Sequence, residues 1–184
     1  SDADLQFPAA ADVFACALEI QVSEQNTAAL YMLLRRTLTD IGLAPYSAKN
    51  AYQRERPFMV SETPVCTPKD EEALRMDGSY PSGHTAIGWG WALILTELVP
   101  DRAEEILARG RAFGESRNVC NAHWYSDVVA GRLVGAAAVA KLHANEEFLA
   151  AMDAARVDID RAREQGLAPK KDCAVETKAL AVMR

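Results

Sequence analysis

Aromatic residues make up only 7% of the 184-residue chain, and runs of Val, Ile and Thr are scarce. That scarcity argues against a sheet, and the abundance of Ala favours helix. Positive charge is not in excess either. The net charge is −6, with 25% charged and 49% apolar residues, an ordinary globular balance. A general nucleic-acid binder needs a basic face, so that class is excluded, and any anion site must be a local concentration of cations. No apolar run reaches the roughly 20 residues that a membrane span needs. Ala86–Leu95 is too short, and Val128–Leu142 is broken by Arg132 and Lys141. The opening Ser1-Asp2-Ala3-Asp4 is polar, lacks Met and shows no signal peptide. It fits the trimmed end of an exported protein as well as an arbitrary boundary. Repeats and low-complexity stretches are missing too.

Cysteine is sparse. Cys16, Cys66, Cys120 and Cys173 form no CxxC pair, which argues against a zinc ribbon. Four cysteines allow three complete pairings. Export favours disulfides, and a cytosolic setting favours buried thiols. Cys66–Cys120 comes first among the pairings, because both residues flank chemically rich stretches.

What is present reads as helices. Ala11–Ile20 is a short apolar candidate. Ser23 is placed to cap a helix to Ile41, with Leu30, Leu33, Leu34, Leu38 and Ile41 at helical spacing and Gly42 as its stop. Pro45 opens a third helix, Tyr46–Glu55, ended by Pro57. Phe58–Gly78 is loop-like, with one helical turn across Glu71–Met76. An apolar helix, Thr85–Val99, follows the turn Ser79–His84. Further helices run from Pro100 to Ser116, Trp124 to Leu142, and Asn145 to Gln165. The tail Lys170–Arg184 forms a last short helix or frays. The expected class is all-α, a compact multi-helix bundle in one domain, residues 1–184.

Three stretches carry chemistry. Lys49 and Arg56 are seven apart, so a helix would project both from one face, with Arg54 on another. In Pro81-Ser82-Gly83-His84, Ser82 can cap the following helix and Gly83 lets an anion approach free N–H groups at the helix start. In Ser116–Asp127, His123 and Asp127 are spaced i, i+4. On a helix the carboxylate would take the imidazole Nδ1–H and leave Nε2 bare. Together these supply three cations (Lys49, Arg56, Arg117), Ser82 and backbone donors, and two imidazoles. That inventory suits binding and transferring a tetrahedral oxyanion. Two His and an Asp also suggest a metal, but three cations repel Zn²⁺ and no further ligand stands at ligand spacing. No metal or other cofactor is expected.

Lys49-x6-Arg56-Pro57, Pro81-Ser82-Gly83-His84 and Ser116-Arg117-x5-His123-x3-Asp127 together resemble the three-part signature of the type-2 phosphatidic acid phosphatase and vanadium haloperoxidase superfamily. Within it the chain most resembles bacterial class A nonspecific acid phosphatases. The added stretches are Lys49-Asn50-Ala51-Tyr52 with Arg54, Gly78-Ser79-Tyr80 before Pro81, and Gly88-Trp89. The resemblance covers about Leu30 to Phe148. Asn121-Ala122 and Tyr125 depart from the usual residues around His123, which touches substrate preference rather than reaction. The tail after Ala168 has no match.

The resemblance implies an all-α fold and a metal-independent acid phosphatase acting on small phosphate monoesters, with possible transfer to other alcohols. It implies His123 as nucleophile, forming a phosphohistidine, and Asp127 as the holder of its tautomer. It implies His84 as general acid and then base, and Lys49, Arg56, Ser82, Gly83 and Arg117 as the phosphate cradle. Phosphate and vanadate would inhibit. It also implies a periplasmic or secreted bacterial protein with its signal peptide removed. A homo-oligomer built on the Ala- and Gly-rich helix or the tail is compatible with this. A vanadate-dependent haloperoxidase is the alternative, disfavoured by the short chain. A membrane lipid phosphatase and a non-catalytic phosphate binder rank lower, the first for want of spans and the second because binding alone does not need the His–His–Asp set.

Overall fold

The computed structural model describes residues 2–61 and 63–183, and among these it is helical with no strand. The chain begins with a 3-10 stretch, Ala9–Phe14, that runs into α1 (Ala15–Leu18). Then come α2 (Ala28–Leu43), α3 (Tyr46–Tyr52), α4 (Pro57–Ser61) and α5 (Glu71–Arg75). The larger helices follow: α6 (Gly83–Leu98), α7 (Ala103–Val119), α8 (Tyr125–Leu142) and α9 (Glu146–Glu164), before the short α10 (Ala174–Leu180).

Helix α6 is the centre. It is buried on nearly every side, through Ala86, Ile87, Trp91, Ile94 and Leu95 among others, as its apolar sequence requires. Helices α7, α8 and α2 pack around it, and α9 lies against α2. Small residues set the close approach. A Cβ on Gly135 would collide with the Ala86 carbonyl, and one on Gly88 would enter the Phe113 ring. The glycine face of α8 is therefore spent inside the bundle. Trp91 donates its Nε1–H to the Leu34 carbonyl at 3.1 Å, which pins α6 to α2.

Several boundaries differ from the sequence expectation. Helix α2 begins at Ala28, not Ser23. Ser23 instead closes a local turn, accepting from the Asn26 amide at 3.2 Å, and the cap of α2 comes from far away. Asp158, on α9, accepts from the amides of Ala29 at 2.6 Å and Leu30 at 3.3 Å. Gly42 lies inside α2 and does not stop it. Helix α3 ends at Tyr52, where Gln53 turns left-handed with φ 42°. Pro57 opens α4 within the stretch expected to be loop. The turn expected at Glu71–Met76 is present as α5.

The tail docks. Cys173 bonds to Cys16 with Cα atoms 5.5 Å apart, and Lys171 donates to the Asp12 carbonyl at 2.8 Å. The other disulfide is Cys66–Cys120, as expected, with Cα atoms 5.0 Å apart. His143, outside the motifs, bonds Glu97 at 2.8 Å near the surface. Among the described residues no helix is long and apolar enough to cross a membrane.

Candidate active site

The site lies where the N-termini of α6 and α8 meet the C-terminus of α7. Ser82 is the N-cap of α6, accepting from the Thr85 amide at 3.3 Å and the Thr85 hydroxyl at 2.9 Å. Having accepted twice, it keeps its own O–H to donate. The amides of Gly83 and His84, first in the helix, have no acceptor within it. The Ser82 amide donates to the Asp127 carbonyl at 3.0 Å and locks the two helix starts together.

His123 and Asp127 do come together, but not on one helix face. His123 sits in the turn before α8, and Asp127 is the third residue of α8. Asp127 caps its own helix by accepting from the Trp124 amide at 2.9 Å. The same Oδ2 lies 3.5 Å from His123 Nδ1 and also accepts from the Ser79 hydroxyl. Arg54 takes the other oxygen, at 2.7 Å, and the Ser126 hydroxyl as well. Burial pushes the Asp127 carboxyl up, but the hydrogen bonds from His123, Ser79 and the Trp124 amide outweigh it and hold the group below its usual value.

Arg56 reaches His123 from the opposite side. Its NH1 stands 3.0 Å from His123 Nε2 and donates to it. A guanidinium has only donors, so Nε2 must present a lone pair and the ring proton must sit on Nδ1. Burial, with the nearby Arg56 and Lys49 cations, pushes His123 from 6.5 down to about 4, against the pull of Asp127. The imidazole is neutral, with Nε2 turned toward the cations.

Arg56 does not share a helix face with Lys49, because α3 has ended before it. The two converge all the same. Lys49 is 3% and Arg56 1% exposed. Lys49 Nζ donates to the Asp77 carboxylate at 2.8 Å, and Arg56 NH2 donates to the same oxygen at 3.1 Å. Backbone carbonyls complete the arrangement. Arg56 donates to those of Leu74 at 2.8 Å and Ala122 at 2.9 Å. Gly83 faces Lys49, whose Cε would lie 4.0 Å from an added Cβ.

Arg117, in the last turn of α7, is 3% exposed, and its buried Nε has no hydrogen-bond partner. The Arg117 carbonyl accepts from the amides of Ala122 and His123 at 3.1 and 3.2 Å, tying it to the turn that carries His123. With His84 it lines a cavity of about 630 Å³, walled also by Ala3, Gln6, Lys69 and Asp70. His84 donates Nε2–H to the Ala3 carbonyl at 3.1 Å. Burial, then the Arg117 cation, pushes His84 down to about 3. All eight residues singled out in the sequence thus gather in one place. Asp77, Ser79 and Arg54 join them. Nothing in their spacing gave Asp77 and Ser79 a role. Arg54 was visible just after the Lys49–Tyr52 stretch, but helix geometry pointed it away.

An all-helical bundle whose central helix starts at a cation-lined cradle beside a buried His–Asp pair defines one class of protein. Residues 27–147 match the PAP2 superfamily, and the chain belongs to it. The acid phosphatase of Zymomonas mobilis subsp. mobilis is 44% identical over 172 residues, covering 91% of this chain and 64% of the relative. The non-specific acid phosphatase of Providencia stuartii is 45% identical over 148 residues, covering 80% of this chain and 60% of its own. That of Salmonella typhimurium is 41% identical over 160 residues, covering 86% and 64%. The chain thus spans less than two thirds of the length of each of these relatives.

Proposed function

We propose that the chain is one acid phosphatase domain that hydrolyses small phosphate monoesters through a phosphohistidine at His123, without a metal. The observation that carries this reading is the His123 ring. Asp127 and Ser79 stand at Nδ1 and Arg56 donates to Nε2, so a neutral imidazole offers a lone pair next to three buried cations. Nε2 attacks phosphorus as the bond to the leaving oxygen breaks. Arg56, Lys49, Arg117, Ser82 and the amides of Gly83 and His84 receive the charge on the phosphoryl oxygens.

His84 gives its proton to the leaving alcohol, then takes one from the water that attacks the phosphohistidine. The Ala3 carbonyl accepts the Nε2–H of His84 at 3.1 Å, and the leaving oxygen would have to replace it there. Burial and then the Arg117 cation depress His84, and a phosphoryl dianion beside it works against both by favouring the protonated ring. Activity therefore falls as His84 deprotonates, which gives an acid preference. An alcohol in place of water would accept the phosphoryl group in the second step. Phosphate and vanadate would compete for the same cradle. All four cysteines are paired, which supports an oxidising compartment, periplasmic or secreted.

The test is an alkaline quench during turnover of a labelled phosphate ester. A base-stable, acid-labile phosphoenzyme is expected in wild type and lost in His123→Ala. Label that persists in the variant removes His123 as nucleophile.

A further inference from the structure

Two buried cations cannot wait for a substrate without a counter-ion, because an unpaired charge away from water is strongly destabilising. Asp77 meets that need. Its Oδ2 alone accepts from both Lys49 Nζ and Arg56 NH2, at 2.8 and 3.1 Å. Yet the carboxylate is not what positions them. Arg56 Nε and NH1 are held by the carbonyls of Leu74, Asp77 and Ala122, and Lys49 also donates to the Gly78 carbonyl. The Asp77 side chain is 33% exposed, unlike the fully buried Asp127, and lies in the link between α5 and α6. It can turn to water without moving a helix.

We propose that Asp77 is an internal stand-in for phosphate: it neutralises Lys49 and Arg56 in the free site and is displaced by the phosphoryl group. The proposal rests on the phosphate-site reading above. A phosphoryl dianion brings several oxygens to cations that share one carboxylate oxygen, so exchange favours the substrate. The same carboxylate then competes with product and keeps phosphate from binding too tightly. Asp77 would set the affinity of the site for phosphate and take no part in bond making.

Calorimetric titration of inorganic phosphate into the whole chain, at one neutral pH, tests this. Asp77→Asn is expected to bind on the order of tenfold tighter than wild type, the scale of losing two partly exposed competing ion pairs, to Lys49 and to Arg56. Product inhibition should strengthen by the same factor. Asp77→Glu keeps the charge and is expected to stay within about threefold of wild type. Unchanged or weaker binding by Asp77→Asn overturns the proposal and leaves Asp77 as an ordinary structural counter-ion. Arg117→Ala serves as the control for the site. If wild type binds no phosphate, or Arg117→Ala binds it equally well, the phosphate-site reading itself fails. Should Asp77→Asn not fold, a crystal structure of wild type with vanadate decides. Asp77 is expected to be turned away from Lys49 there, and a carboxylate still holding both cations beside bound vanadate overturns the proposal.

Discussion

His123, proposed above as the nucleophile, should also be a source of acid lability, and His123→Gln exposes it. Glutamine places an oxygen near the position of Nε2, so it can still accept from Arg56 NH1, but it loses the Nδ1 contacts and cannot be protonated. The folded imidazole is held at about 4, mainly by burial, against an ordinary 6.5. As pH falls below 6.5 the unfolded chain takes up a proton that the folded chain refuses, so stability is lost. The loss is complete once pH has passed the folded value, and totals about 3 kcal/mol, of which about 2 kcal/mol is gone by about pH 5.

Near pH 7 the variant should be less stable than wild type by about 1–2 kcal/mol, from the lost Nδ1 contacts. By about pH 5 that difference should have shrunk by about 2 kcal/mol, enough to cancel or reverse it. The assay is urea unfolding followed by tryptophan fluorescence in phosphate-free buffers, with disulfides oxidised and slopes compared. His84 is common to both proteins and drops out of the difference. A stability gap that stays constant between the two pH values would refute a buried neutral His123.

Two further outcomes test how the scaffold holds the site. In Gly131→Ala, the new Cβ would lie 2.6 Å from the Ser82 carbonyl and 2.9 Å from Thr85 Cβ, so α8 must shift away from the cradle. Stability should drop by about 1–3 kcal/mol and ester turnover at least about tenfold; full turnover would show that the cradle tolerates the shift. The Cys66→Ala/Cys120→Ala double variant frees the turn that carries Ala122 and His123. Unfolding should cost about 2–4 kcal/mol less, and turnover should fall because the Ala122 carbonyl no longer anchors Arg56; unaltered turnover would confine that disulfide to stability.

What was legible in the sequence was what periodicity and short motifs encode. Apolar spacing marked the larger helices, Ser82 marked the start of α6, and the three motifs held all eight proposed site residues. Local geometry was a poorer guide. Lys49 and Arg56 meet not because a helix carries both but because the chain turns at Gln53 and the backbone carbonyls of Leu74, Asp77, Gly78 and Ala122 hold the two side chains in one place. His123 and Asp127 meet across a turn for the same kind of reason.

The sequence by itself determined the class, all-α, and the chemistry available, because those depend on residue types and on spacing along one strand of chain. The tertiary structure alone decided which partners those groups find. Asp158 caps α2 from more than a hundred residues away, Arg54 and Ser79 fix Asp127, and Asp77 neutralises the cradle. Such pairings depend on where buried charge and unpaired backbone donors end up after packing. Burial raises the cost of leaving them unsatisfied, and only the folded chain shows which distant group is near enough to answer it.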